Sequence, residues 1–224
     1  MGDRTPTPRP GGVMMRNAAD THFQATASRS LGVWWVGLVL ALTGLAAAAV
    51  EPVTGAQPWD PQPEKASLNP GLAVTYAYGR QVHVDDIETL DVPVIGRPLA
   101  KIAHRTVDGN VLTSDRPLLV AAHIRGLIRF NQTGTYTFRV ESNDGVKVRI
   151  GGKRVWYDPE IHANRWSPPI PFDVVQTGWY ELWINYYQKK GTSALQLMWK
   201  LPGSQSRVHV PPDALAHLDK QIGQ

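Results

Sequence analysis

Residues 134–153 read GTYTFRVESNDGVKVRIGGK, and their pattern decides the fold. Tyr136, Phe138 and Val140 alternate with Thr137, Arg139 and Glu141. A period of two places every second side chain on one face, so this is a strand with one face buried. Asn143-Asp144-Gly145 is a tight-turn signal, because these residues tolerate the backbone angles a sharp reversal needs. Val146, Val148 and Ile150 then alternate with Lys147 and Arg149 as a return strand. Gly151-Gly152 closes a second hairpin into a strand over 153–157.

The same pattern extends both ways. Leu72, Val74, Tyr76 and Tyr78 alternate with Ala73, Thr75 and Ala77, and residues 120–130 (VAAHIRGLIRF) continue in strand style before a turn at 131–134. Downstream, WYELWINYY (179–187) puts Tyr180, Leu182, Ile184 and Tyr186 on one face. Trp183 and Tyr187 on the other face predict that both faces are partly covered. After a Lys189-Lys190-Gly191 turn, residues 194–199 form a further strand. With 20 Gly and 18 Pro the chain is heavily punctuated, which favours many short strands over long helices. The expected fold is mainly β, an antiparallel β-sandwich or barrel over residues 71–216, followed by a C-terminal tail at 217–224. The chain has no Cys, which excludes a disulfide framework, a thiolate zinc site and a Cys nucleophile.

Residues 31–50, LGVWWVGLVLALTGLAAAAV, carry no charge. A helix of this length spans roughly 30 Å, the thickness of a hydrocarbon core. We expect a single N-terminal transmembrane helix in the lipid bilayer, with Trp34 and Trp35 as its interfacial anchor. Arg4, Arg9, Arg16 and Arg29 precede it, and Glu51, Asp60 and Glu64 follow it. The excess of positive charge before the segment places the tail, 1–30, in the cytoplasm. The strand-rich part then lies in the periplasm, held by a bacterial inner membrane. The rival reading is a cleaved signal peptide, with Ala47-Ala48-Ala49 as its processing site. Residues 51–70, with five prolines, are expected to form a semi-extended spacer.

The series Ile124-Arg125-Gly126-Leu127-Ile128, Gly134-Thr135-Tyr136-Thr137-Phe138 and the run from Glu141 to Lys153 resembles the protective-antigen-fragment ("PA-fourteen") domain. Gly178-Trp179-Tyr180-Glu181-Leu182, Tyr186-Tyr187, the strand at 194–199 and Pro211-Pro212-Asp213-Ala214-Leu215 are similar to its later strands and exit. The resemblance covers about residues 70–216. It implies a β-sandwich without catalytic residues, found in bacterial toxins, glycosidases, adhesins and flocculation proteins. In sugar-binding members two adjacent Asp residues before the Gly hold calcium, which holds the sugar. Here that pair is Asn143-Asp144, so a calcium cofactor remains an option with one carboxylate fewer. The other reading is a turn in which both side chains satisfy local backbone groups.

Other clusters also admit a functional and a plain reading. Asp85, Asp86, Glu88 and Asp91 beside His83 form the densest acidic group, without EF-hand spacing, and read as a solvated loop. Asp158, Glu160 and His162 share one loop, but no activated nucleophile motif accompanies them, and no enzyme activity is expected. Trp156, His162 and Trp166 are the candidate ligand- or partner-binding residues of that region. A net charge of +4 spread along the chain gives no reason to expect nucleic acid. Two functions compete. One is a non-enzymatic subunit that braces or docks onto an integral membrane protein complex, respiratory or photosynthetic. The alternative is a calcium-assisted carbohydrate-binding module with a glycan as partner.

Overall fold

The computed structural model describes residues 50–79, 83–89 and 94–221. Apart from Val50, the expected membrane segment with Trp34 and Trp35 lies outside them, as do the cytoplasmic tail and Asp91. Among the described residues no helix is long and apolar enough to cross a membrane.

Fourteen strands are described: β1 (Asn69–Pro70), β2 (Ala73–Tyr78), β3 (Val94–Ile95), β4 (Ala103–Thr106), β5 (Val120–Phe130), β6 (Gly134–Ser142), β7 (Val146–Ile150), β8 (Lys153–Asp158), β9 (Arg165–Trp166), β10 (Ile170–Val174), β11 (Gly178–Gln188), β12 (Ser193–Lys200), β13 (Arg207–His209) and β14 (Leu215–His217). They form two antiparallel sheets. The larger runs β1-β14-β5-β11-β7-β8, with β2 also pairing β5 and β3 pairing β2. The smaller runs β10-β6-β12-β13, with β4 on β12 and β9 on β6. The backbone of the larger sheet is the full-length pairing of β5 with β11, from Gly178↔Phe130 to Gln188↔Val120.

The alternating residues meet between the sheets. Val120, Ala122, Ile124, Ile128 and Phe130 of β5 and Tyr180, Leu182, Ile184 and Tyr186 of β11 face Tyr136, Phe138 and Val140 of β6 and Leu195, Leu197 and Trp199 of β12. All are buried, as two sheets packed on one core require. On the outer face of the larger sheet, Val84 and Ile87 cover Ala121 and Tyr187. This explains why Tyr187 is buried on a side that would otherwise meet water.

Gly126 shows how closely neighbouring segments of the larger sheet approach. A Cβ there would lie 2.4 Å from the Ala216 carbonyl oxygen and 2.5 Å from Leu72 Cδ2. Only glycine lets β14 and residue 72 close on β5 at this point.

Three features differ from the sequence expectation. The turn at 143–145 does not close a hairpin, because β6 lies in the smaller sheet and β7 in the larger. The turns 131–133 and 189–192 make the same crossing. Each strand buries one face on the shared core, and alternation looks the same whichever sheet supplies that face. Only β7–β8, across Gly151 and Gly152, is a hairpin of the expected kind, with both glycines at positive φ.

Second, residues 51–68 are not a free spacer. Val53 N donates to Pro171 O at 2.9 Å, Gln57 N to Gly151 O at 3.0 Å and Trp59 N to Trp179 O at 2.7 Å. Ala56 is buried in the main core. The prolines lack N–H groups of their own, but the residues between them donate to sheet carbonyls.

Third, residues 217–221 belong to the sandwich. His217 and Leu218 are buried, and Leu218 N donates to Gln221 Oε1 at 2.8 Å.

Candidate functional site

Three sheet crossings or loops converge at one end of the sandwich: 143–145, 159–164 and 189–192. Asn143 and Asp144 are 7% and 3% exposed. Asp144 adopts φ +63°, a left-handed conformation that Asp and Asn tolerate better than most residues. Its N–H donates to His162 O at 2.9 Å, and its Oδ2 accepts from Lys189 N at 2.7 Å. One residue therefore ties all three segments together. Gly145 follows because a Cβ would meet Val84 Cγ1 at 2.6 Å and Pro159 O at 2.9 Å.

The neighbouring polar groups are also committed. Asn143 Nδ2 donates to Asn164 Oδ1 at 2.6 Å, and Asn143 N donates to Ala194 O at 3.0 Å. Asp158 accepts from Arg165 Nε at 2.8 Å and from a second guanidinium nitrogen, a bidentate pair. His162 donates from Nδ1 to Ala163 O at 2.7 Å, and its Nε2 lies 3.2 Å from Asp158 Oδ2. Gln188, fully buried, donates from Nε2 to the Lys190 and Thr192 carbonyls at 3.0 Å each. Burial pushes the Asp144 carboxyl above its ordinary range, and the Lys189 N–H offsets part of that rise.

Asn143, Asp144 and His162, all singled out in the sequence, thus come together. Trp156 and Trp166 are placed differently. Trp156 packs against the main core from the edge strand β8. Trp166 lies on β9 opposite Glu141, with the Arg139 guanidinium carbon 5.5 Å from its ring centroid. In the acidic group near residue 85, Lys147 Nζ lies 2.9 Å from Asp85 Oδ1, and Tyr157 OH donates to Oδ2 at 2.8 Å. The Lys147 ammonium holds the Asp85 carboxyl below the usual carboxylate range, with Tyr157 assisting.

The loop end does not fit a calcium ion. Calcium takes about six to eight oxygens. Asp144 is the sole carboxylate of the 143–144 pair, and its Oδ2 already serves Lys189. Asn143 turns its amide nitrogen on Asn164 and thereby occupies that oxygen. Asp158 is neutralised by Arg165. Among the described residues no group of three His, Cys, Asp or Glu side chains is placed to hold a metal.

The two-sheet arrangement and this end of it can be set against known proteins. The family model described as PA14 domain matches residues 117–212. Residues 117–212 carry a PA14 domain. This is the protective-antigen family that the motifs from Ile124 to Leu215 resemble. No curated protein matches the chain in sequence. Among solved structures, the PA14 domain of the MpAFP antifreeze protein is similar with a TM-score of 0.59 and 16% identity, covering 74% of this chain and 99% of that one. The PA14 sugar-binding domain from an RTX adhesin gives 0.52 and 18%, covering 66% and 98%. The epithelial adhesin 6 A domain from Candida glabrata, in complex with Galβ1-3GlcNAc, gives 0.54 and 15%, covering 74% and 94%. At these identities the likeness is one of fold.

What the sequence did not single out is the main-chain part of the site. Lys189 N, His162 O and Ala194 O take part through the backbone, which no side-chain pattern encodes.

Proposed function

We propose that this protein is a non-catalytic glycan-recognition module that works without calcium. The observation that carries the reading is the locked loop end on a PA14 fold. Two buried carboxylates, Asp144 and Asp158, brace this end, where Ile161 and Ala163 of 159–164 and Lys190 of 189–192 are exposed. Loops already fixed in place lose little further freedom when a ligand binds. Solved domains of the same fold include a sugar-binding adhesin domain and one in complex with Galβ1-3GlcNAc. Asp158 is committed to Arg165, which argues against a general base beside His162.

The test is a glycan array probed with the full chain in mild detergent, with and without a chelator. Binding is expected to be the same within about twofold in both conditions, which is under 0.5 kcal/mol. Loss on chelation that added calcium restores would overturn metal independence. Failure to bind any glycan would overturn the reading itself. The comparisons support glycan recognition over docking onto a membrane complex.

Location is a separate proposal, motivated by the charge-free run 31–50. It holds that this run anchors the chain in an inner membrane, with the sandwich in the periplasm. The chain is then expected to stay with membranes through an alkaline wash. Protease added to spheroplasts should digest the sandwich. A soluble polypeptide beginning near residue 50 would exclude the anchor.

A further inference from the structure

At the opposite end of the sandwich, residues 63–70 and β14 flank the start of β11 and leave a groove of about 540 Å³. It is separated from Asp144 by most of the length of β11, nine residue steps from Trp179 to Gln188, or roughly 30 Å of strand. Trp179, half-buried, forms part of its lining, with Leu68 and Pro70 as apolar wall. Arg129, Lys65 and Asp213 bring three exposed charges to the same groove.

The wall is built by the segment that composition reads as a spacer. Gln62 fixes it to the strand: its Oε1 accepts from Trp179 N at 2.7 Å, and its Nε2 donates to Trp179 O at 3.1 Å and to Trp59 O at 2.6 Å. Trp179 is therefore held rigidly at the backbone. The Arg129 guanidinium carbon lies 5.8 Å from its ring centroid, within cation–π range.

The contrast with the loop end is informative. There, Asn143, Asp144, Asp158 and Gln188 are tied to neighbouring side chains or to the main chain. In the groove, the charged ends of Lys65, Arg129 and Asp213 make no hydrogen bond or ion pair to other described residues. An apolar, aromatic concavity with a few convergent polar groups is the usual form of a small-ligand site. Two cations against one carboxylate favour an anion, and a guanidinium is suited to grip a carboxylate through two parallel bonds. A nucleic-acid strand would call for a longer row of phosphate-binding cations than these two.

We infer that this groove binds an acidic oligosaccharide: a sugar face lies on Trp179, its carboxylate meets Arg129 and Lys65, and Asp213 accepts from hydroxyls. The inference rests on the glycan reading and gives it a site and a substrate class.

Titration of the full chain with hexagalacturonate, with the neutral galactose hexamer and with oligothymidylate tests it. Hexagalacturonate is expected to bind, to weaken tenfold or more in both W179A and R129Q, and to weaken further as salt is raised. R129Q changes an exposed side chain, so it separates lost recognition from lost folding. Hexagalacturonate affinity unchanged in R129Q, or equal binding of the neutral hexamer or of oligothymidylate, would overturn the groove assignment. Glycans bound on the array by wild type and R129Q alike would leave the general reading standing while the groove falls. No glycan bound by wild type at all would remove both.

Discussion

Replacing Phe130 with alanine is expected to lower the stability of the sandwich by about 3–5 kcal/mol, the usual cost of truncating a fully buried aromatic. Phe130 ends β5 and is 0% exposed. Its ring centroid lies 4.8 Å from that of Tyr136, 5.1 Å from Tyr180, 5.6 Å from Phe172, 6.0 Å from Trp199 and 6.3 Å from Phe138. Tyr180 belongs to the larger sheet and the other four to the smaller, so the ring joins both layers. The neighbours come from rigid paired strands and cannot collapse into the space, which places the cost high in the range. In a domain of this size the melting temperature should fall by roughly 6–20 °C. Near-UV circular dichroism of the full chain during heating reads this directly. Val175→Ala, at a side chain that is 77% exposed, is the control and should shift stability by no more than about 0.5 kcal/mol. A Phe130→Ala melt within two or three degrees of wild type would mean that the ring is not the hinge of the core (about 1 kcal/mol or less).

The identity of these core residues was legible because burial on one face leaves a period of two. Tyr136, Phe138, Val140, Tyr180, Leu182 and Ile184 could be assigned to the core without knowing their partners. Strand pairing was not legible. Val146, Val148 and Ile150 bury the same kind of face whether β7 returns beside β6 or crosses to the other sheet, so the turn at 143–145 read as a hairpin. The pairing of residues 51–68 is hidden in the sequence for a related reason. Five prolines in 51–70 suggest a chain that pairs with nothing, but the pairing uses the N–H groups of Val53, Gln57 and Trp59. Composition does not count those donors. The consequence reaches function, since this segment builds a wall of the groove beside Trp179. At the loop end, the sequence marked Asn143, Asp144 and His162 separately. Their meeting depends on where the 159–164 loop lands, and the acceptor at His162 and the donor at Lys189 are main-chain atoms.

Asp144 gives the second large effect, and its sign depends on the substitution. Burial raises the carboxyl's folded-state pKa above its ordinary value. Ionisation therefore opposes folding. The carboxyl's favourable contribution is complete below the unfolded-state pKa and is lost as pH rises through the folded-state value. At neutral pH the wild type carries this penalty. Asp144→Asn removes the charge, keeps an oxygen for the Lys189 N–H and suits the left-handed backbone at φ +63°. It should be at least as stable as wild type at pH 7, and its advantage should shrink as the solution is acidified through the carboxylate range. Asp144→Ala leaves the Lys189 donor without its acceptor in a buried position and should lose about 1–3 kcal/mol where the wild-type carboxyl is protonated, and less at pH 7, where removing the charge offsets part of the loss. Denaturant midpoints of the three proteins at pH 4 and pH 7 separate these cases. If Asp144→Asn proved as damaging as Asp144→Ala at pH 7, the negative charge itself would be required. A cation at this end, calcium included, would then have to replace the hydrogen-bonded brace as the account of how the loops are held.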